Sequence, residues 1–299
     1  MDNWQSWTKE ELEHQMSPSR WNPNKSCEEV IQQHITICTA ETERAKSEIP
    51  NKTDISYGDA PNQKYDLYGT DLPANSSILL WIHGGYWQEG SKDISALMVR
   101  NLYKIGFKTI VMGYTLAPKA TVTEMQAELS SALKKAIKQF PEAKFIVGGH
   151  SAGGQLAASL LHSLPDEFDE TELGDRLIGL FLVAGVYDLR PLVSTYVNDA
   201  LKMTSDEAEI LSPLLQPIIN SENFSKDLLV LIWVGGIDSP EFQRQSKNYA
   251  AKLESTFENV KLWLSEEDDH FTIVERLSDI SESSPGGYLK RMLKSKVKL

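Results

Sequence analysis

The run KFIVGGHSAGGQLAASLLH at residues 144–162 sets one serine between two glycines, as GHSAG (149–153). A strand former precedes it and a helix former follows. G-x-S-x-G in that setting is a turn so sharp that the serine takes strained backbone angles and its hydroxyl stands clear of the sheet. Gly149 and Gly153 leave room where side chains would collide with the adjoining strand and helix. Ser151 is therefore a candidate nucleophile, and the helix starting beyond it favours a developing oxyanion. A serine at this place could also do no more than cap the helix. Its partners decide.

One set of partners would be donors to the oxyanion. The apolar run SILLWIH leads into HGGYW at residues 83–87. In lipase- and esterase-type sites the loop after the third strand supplies backbone N–H groups, and the residue after the nucleophile supplies another. Gly85, Tyr86 and Ala152 are the expected donors. Gly84 gives the turn its freedom, and His83 and Trp87 can hold the loop rigid.

The other partners are a base and an acid. The histidines are His14, His34, His83, His150, His162 and His270. Chain order in such hydrolases runs Ser…Asp/Glu…His, so the base follows Ser151. His162 is expected in the helix after the elbow, about three turns on and unable to fold back. That leaves His270, on a loop after the strand former VKLWLSE. Asp238, directly after LLVLIWVGG, is the expected acid, accepting the Nδ1–H of His270 and stabilising the imidazolium. Asp188, after LFLVAGV, is the rival position; Asp268 and Asp269 sit close to His270 in sequence and are assigned to solvating its loop.

These residues need a scaffold. From about residue 53 the segments DISYGD and KYDLYGT suggest an antiparallel start. Strand and helix formers then alternate: SILLWIH, the helix SALMVRNLYKI, FKTIVMGY, the helix TEMQAELSSALKKAIKQF, KFIVGGH, a helix from Ala152, IGLFLVAGV, LLVLIWVGG, the helix EFQRQSKNYAAKLESTF and VKLWLSE. Near-continuous apolar strands are those covered on both faces, and β/α alternation predicts a mostly parallel sheet. One α/β domain of the α/β-hydrolase fold is the economical reading. Residues 1–50 precede it as helices, TKEELEHQM and SCEEVIQQHITICTAETERAKSEI, and could partly cover the active site. In the second, Val30, Ile31, His34, Ile35 and Cys38 predict one apolar face.

Bulk composition narrows the function classes. The chain has 299 residues, 41% of them hydrophobic, enough for one large core. A net charge of −12 argues against nucleic-acid binding, which needs a positive surface. The polar start MDNWQSWTKEELEHQMSPSRW lacks the apolar run of a secretory signal, and no stretch approaches the ~18 apolar residues of a membrane span. The basic KRMLKSKVKL is read as the end of a surface helix. Two cysteines, Cys27 and Cys38, suit reduced thiols, so a cytoplasmic setting is expected. With no CxxC or HExxH cluster, no metal and no cofactor are expected. A small-molecule substrate is the expected partner, and a homodimer stays open.

Taken together, SPSRW (17–21), HGGYWQEGSKD (83–93), GHSAG (149–153), GVYDL (185–189), DSPEFQRQS (238–246) and HFTIVE (270–275) resemble the kynurenine formamidases (arylformamidases) nearly end to end. HGGYW differs from the HGGG of broader lipases in having Tyr86 at the third glycine. The resemblance implies hydrolysis of N-formyl-L-kynurenine to L-kynurenine and formate through a formyl-enzyme on Ser151. It leaves recognition to the aromatic leaving group, for which Tyr86 and Trp87 are candidate walls, either of which could simply pack the loop. The same triad would serve a general aryl or short-acyl carboxylesterase, and the same fold could carry a catalytically silent ligand-binding module.

Overall fold

In the computed structural model, which describes residues 3–163, 173–174, 176–219, 224–225 and 227–294, eight strands share one sheet. They are β1 (Asn51–Ser56), β2 (Lys64–Tyr68), β3 (Ile78–Ile82), β4 (Lys108–Met112), β5 (Phe145–His150), β6 (Leu177–Val183), β7 (Leu229–Gly235) and β8 (Asn259–Ser265). Their order is β1-β2-β4-β3-β5-β6-β7-β8. β2 runs antiparallel to both neighbours, and β3 to β8 are parallel wherever they pair. This is the α/β-hydrolase arrangement expected from the alternating pattern.

Strand composition explains the layering. All of β3, β4, β5 and β7 is buried, as apolar runs covered by helices on both faces must be. Alternate residues divide between two cores. Leu80, Ile82, Val147 and Ile232 face one, with α4 (Val122–Gln139) and the helix Pro240–Glu254. Leu79, Trp81, Ile146 and Trp233 face the other, with α3 (Val99–Tyr103) and the helix Pro285–Lys294. Each fully buried side chain of this size contributes about 1.5–3 kcal/mol. α4 starts at Thr121, whose hydroxyl and the Glu124 carboxylate satisfy each other's backbone N–H.

Ahead of the sheet lie α1 (Lys9–Gln15), a tight turn at Pro18–Trp21 and α2 (Cys27–Glu48). Thr8 with Glu11, and Ser26 with Glu29, make the same reciprocal caps. The apolar face expected on α2 is only partly realised. Val30 and Cys38 are buried, joined by Thr42 and Ala45, whereas Ile31 and Ile35 are each 42% exposed. The helix is rotated so that Thr42 reaches the body, where its Oγ1 accepts the Ala96 N–H at 3.0 Å.

Two helix expectations also need correction. SALMVRNLYKI is helical only over Val99–Tyr103. The Ser95 hydroxyl bonds back to the Ser91 carbonyl and Ala96 is held by Thr42, which keeps that stretch in turns. α5 (Ala152–Ser159) ends before His162. His162 sits in the following turn, with Nδ1 on the Pro217 carbonyl and Nε2 on the Tyr249 hydroxyl, both at 2.8 Å. The C-terminal helix is described over Pro285–Lys294, and the last part of KRMLKSKVKL lies outside the described residues.

Candidate active site

β5 delivers Ser151 at φ 54°, ψ −116°, a region that non-glycine residues avoid and that persists where surrounding structure enforces it. The enforcement is visible. The Ser151 N–H is fixed to the Val183 carbonyl at 2.8 Å, and the neighbouring glycines allow the close crossing. A Cβ on Gly149 would stand 2.4 Å from the Gly153 backbone, and one on Gly153 would stand 2.2 Å from the Ile82 carbonyl oxygen. The Ser151 side chain accepts no cap bond from α5, so the capping alternative fails.

Gly85, Tyr86 and Trp87 follow β3 with φ of 108°, 47° and 60°. Three consecutive positive values turn the backbone beside the elbow, and a Cβ on Gly84 would stand 3.0 Å from the His150 carbonyl oxygen and 3.1 Å from Ser151 Cβ. Among the described residues, the N–H groups of Gly85, Tyr86 and Ala152 have no hydrogen-bond partner. Unpaired donors beside a buried serine are what an oxyanion hole requires. The loop is braced from several sides. His83 donates from Nδ1 to the Gly84 carbonyl at 2.8 Å and stacks on Tyr114 at 4.4 Å. Burial pushes its imidazole down to about 4, so it is neutral. Trp87 is fully buried with its indole N–H on Gln155 Oε1, so it packs the loop. At the far end, Lys92 meets Asp54, Asp66 and Asp93 within 3.1 Å. Burial alone would lower its ammonium, but these carboxylates hold it above its ordinary value.

β7 and β8 bring Asp238 and His270 together. His270 Nδ1 lies 2.7 Å from Asp238 Oδ2, and the other carboxylate oxygen accepts the Ser239 N–H at 2.7 Å. With the proton on Nδ1, His270 Nε2 is left as the basic atom. Phe242 meets the imidazole edge-on at 4.8 Å. The rival acid is committed elsewhere: Asp188 takes the Arg190 guanidinium through both oxygens, at 2.9 and 2.8 Å. Asp268 pairs with Arg276, and Asp269 accepts the N–H groups of Phe271 and Thr272. These two carboxylates shape the His270 loop and do more than solvate it.

The His270 loop is tied directly to the elbow. His150 Nε2 donates to the His270 carbonyl at 2.8 Å, and burial keeps the His150 imidazole neutral. Ser151, Asp238 and His270 are all buried, at 4%, 2% and 2% exposure. Among the described residues the Ser151 hydroxyl makes no hydrogen bond. In sites of this type the serine–histidine bond tightens when substrate binds.

Several neighbours of the site escaped the sequence reading. The Tyr86 hydroxyl donates to the Met16 carbonyl at 2.7 Å. The Asn22 amide donates to Asp269 Oδ2 at 2.7 Å, and Ser17 Oγ lies 3.1 Å from the Tyr196 hydroxyl. Burial pushes the Tyr86 phenol well above its ordinary value, reinforced by Tyr196 and Asp238. The segment between Met16 and Asn22 contains SPSRW, which carried no periodicity or chemical pattern of its own.

A buried serine at an elbow, unpaired backbone N–H groups in the adjoining segments, and an imidazole held by a carboxylate can together carry out acyl transfer. The comparisons with known proteins agree. Residues 79–273 match the family model described as alpha/beta hydrolase fold. The kynurenine formamidase of Danio rerio is 38% identical over 93% of this chain and 94% of its own, and that of Salmo salar 36% over 93% and 95%. Among solved structures, a putative thioesterase from Silicibacter sp. superposes with a TM-score of 0.73 at 26% identity, covering 87% of this chain and 92% of its own. By fold, by site geometry and by near full-length similarity, the chain belongs to the kynurenine formamidase family of α/β hydrolases.

Proposed function

We propose that the chain hydrolyses the formyl amide of N-formyl-L-kynurenine, releasing formate and L-kynurenine, with Ser151, Asp238 and His270 as the triad. The observation that carries the chemistry is the 2.7 Å bond between His270 Nδ1 and Asp238, which leaves Nε2 basic at the elbow. The curated relatives supply the substrate. Ser151 Oγ attacks the formyl carbon while His270 Nε2 takes its proton. The N–H groups of Gly85, Tyr86 and Ala152 hold the oxyanion. As the tetrahedral adduct collapses, the C–N bond breaks and His270 returns the proton to the aryl amine. Water, deprotonated by His270, then cleaves the formyl ester and frees Ser151.

Among the described residues no helix is long and apolar enough to cross a membrane, and both cysteines are free. Reduced thiols support a cytoplasmic setting. The deciding experiment is formate release from N-formyl-L-kynurenine by wild type and Ser151→Ala, with an aryl ester alongside. Turnover lost in the variant, with a kcat/KM well above that for the ester, is expected. Ester cleavage without deformylation would move the assignment to a carboxylesterase, and no activity on either would favour a silent module.

A further inference from the structure

The formyl group is too small to recognise by much, so selectivity falls on the leaving group, whose far end bears an α-amino acid. We infer that residues 17–22 form the wall against which this leaving group lies, and that Arg20 takes its carboxylate. The inference rests on the deformylase reading above and specifies how that site chooses its substrate.

The placement follows from two anchors. Met16 accepts the hydroxyl of Tyr86, on the oxyanion loop, and Asn22 donates to Asp269, next to the base His270. The residues between them therefore pass from one side of the triad to the other. The second anchor fixes which part of the substrate they meet. His270 must protonate the aryl nitrogen as it departs, so the leaving group lies on the His270 side. Its carboxylate sits several bonds beyond that nitrogen, within the compass of a long side chain from this strap.

The charge follows from elimination. In a chain of net charge −12, a substrate carboxylate needs a committed cation. Arg190 is paired with Asp188, Arg276 with Asp268 and Arg244 with Glu241. Arg20, exposed on the strap, makes no ion pair and no side-chain hydrogen bond among the described residues. Its backbone is fixed, with the Arg20 N–H on the Ser17 carbonyl at 3.0 Å. That turn is itself held by Pro18 and by the Trp21 indole on the His14 carbonyl. A guanidinium on a fixed backbone, with its fork unused, is suited to bidentate capture of a carboxylate.

The test compares kcat/KM on N-formyl-L-kynurenine and on its carboxamide, for wild type, Arg20→Ala and Arg20→Lys, with thermal melts to confirm folding. Wild type should prefer the acid. Arg20→Ala should lower kcat/KM for the acid by about 10–100-fold, mainly through KM, and far less for the carboxamide. Arg20→Lys should restore part of the preference as a point charge. A preference for the acid that survives Arg20→Ala, equal losses on both substrates, or no preference in wild type would each overturn the inference while leaving the deformylase reading intact. No formate from either substrate in wild type would overturn both.

Discussion

Replacing Gly153 by alanine tests whether the gap between α5 and the end of β3 sets the rate. The added methyl would stand 2.2 Å from the carbonyl oxygen of Ile82 and 2.6 Å from that of His83. Both obstacles are backbone, so no side-chain rotation relieves them, and α5 must withdraw from β3 by about 1 Å to reach van der Waals separation. Ala152, whose N–H is one proposed oxyanion donor, moves with α5; Gly85 and Tyr86, which carry the other proposed donors, stay with the loop beyond β3. The hole opens across its middle. Losing one effective donor costs about 10²–10³ in kcat, while overpacking of this kind costs about 1–3 kcal/mol of stability. Gly106→Ala is the matched control. Unlike helical Gly153, its backbone is left-handed, at φ 82°, and an added Cβ has no atom within 4 Å. That variant should lose about 1–2 kcal/mol of stability with unchanged kcat/KM. Formate-release kinetics and urea unfolding of both variants provide the comparison. If Gly153→Ala kept kcat/KM within about threefold of wild type, the assignment of donors to both sides of this gap would be wrong.

Asp238→Asn should lower kcat by about 10⁴ while leaving the fold intact, because the His270 tautomer is no longer enforced. Asp188→Asn should show the opposite profile, a stability loss of about 1–3 kcal/mol from the weakened charge-assisted bonds to Arg190, with activity largely kept. Kinetics and melts on both variants separate the two carboxylates, and a reversed pattern would make Asp188 the triad acid. Acid should destabilise the fold before most carboxylates titrate. Burial lowers His83 and His162 to about 4, against 6.5 when unfolded, so the unfolded chain binds more protons between those values. Stability should therefore be full above pH 6.5 and fall toward pH 4, by about 3 kcal/mol for each histidine. A urea midpoint that stays flat or rises between pH 6.5 and 4.5 would contradict this.

What the sequence made legible was whatever a local pattern encodes. Ser151, the HGG turn and the parallel strands each carry a signature within a dozen residues; chain order then leaves His270 as the candidate base but keeps both Asp238 and Asp188 as candidate acids. Burial direction on α2 was harder to read, because Ile31 and Ile35 look apolar at helical spacing while the face actually used ends in Thr42 and Ala45. That choice is made by the body it packs against, through the Ala96 N–H. SALMVRNLYKI likewise has helix formers throughout, yet side-chain bonds from Ser95 and Thr42 hold its first part in turns. The Met16–Tyr86 and Asn22–Asp269 bonds span 70 and 247 residues, and one of them uses a backbone carbonyl. No composition or periodicity encodes such a pairing.

The bond from His150 to the carbonyl of His270 closes a ring in space. From Ser151 the chain steps back to His150, crosses to the backbone of His270, passes through that imidazole to Asp238, and returns across the neighbouring strands β7, β6 and β5. A structure tied this way is triangulated, like a truss. Displacing one corner strains two members, so errors of position are shared around the circuit and do not add up at the reacting atoms. His270 can then sit on a loop and still be placed as if it stood on the sheet.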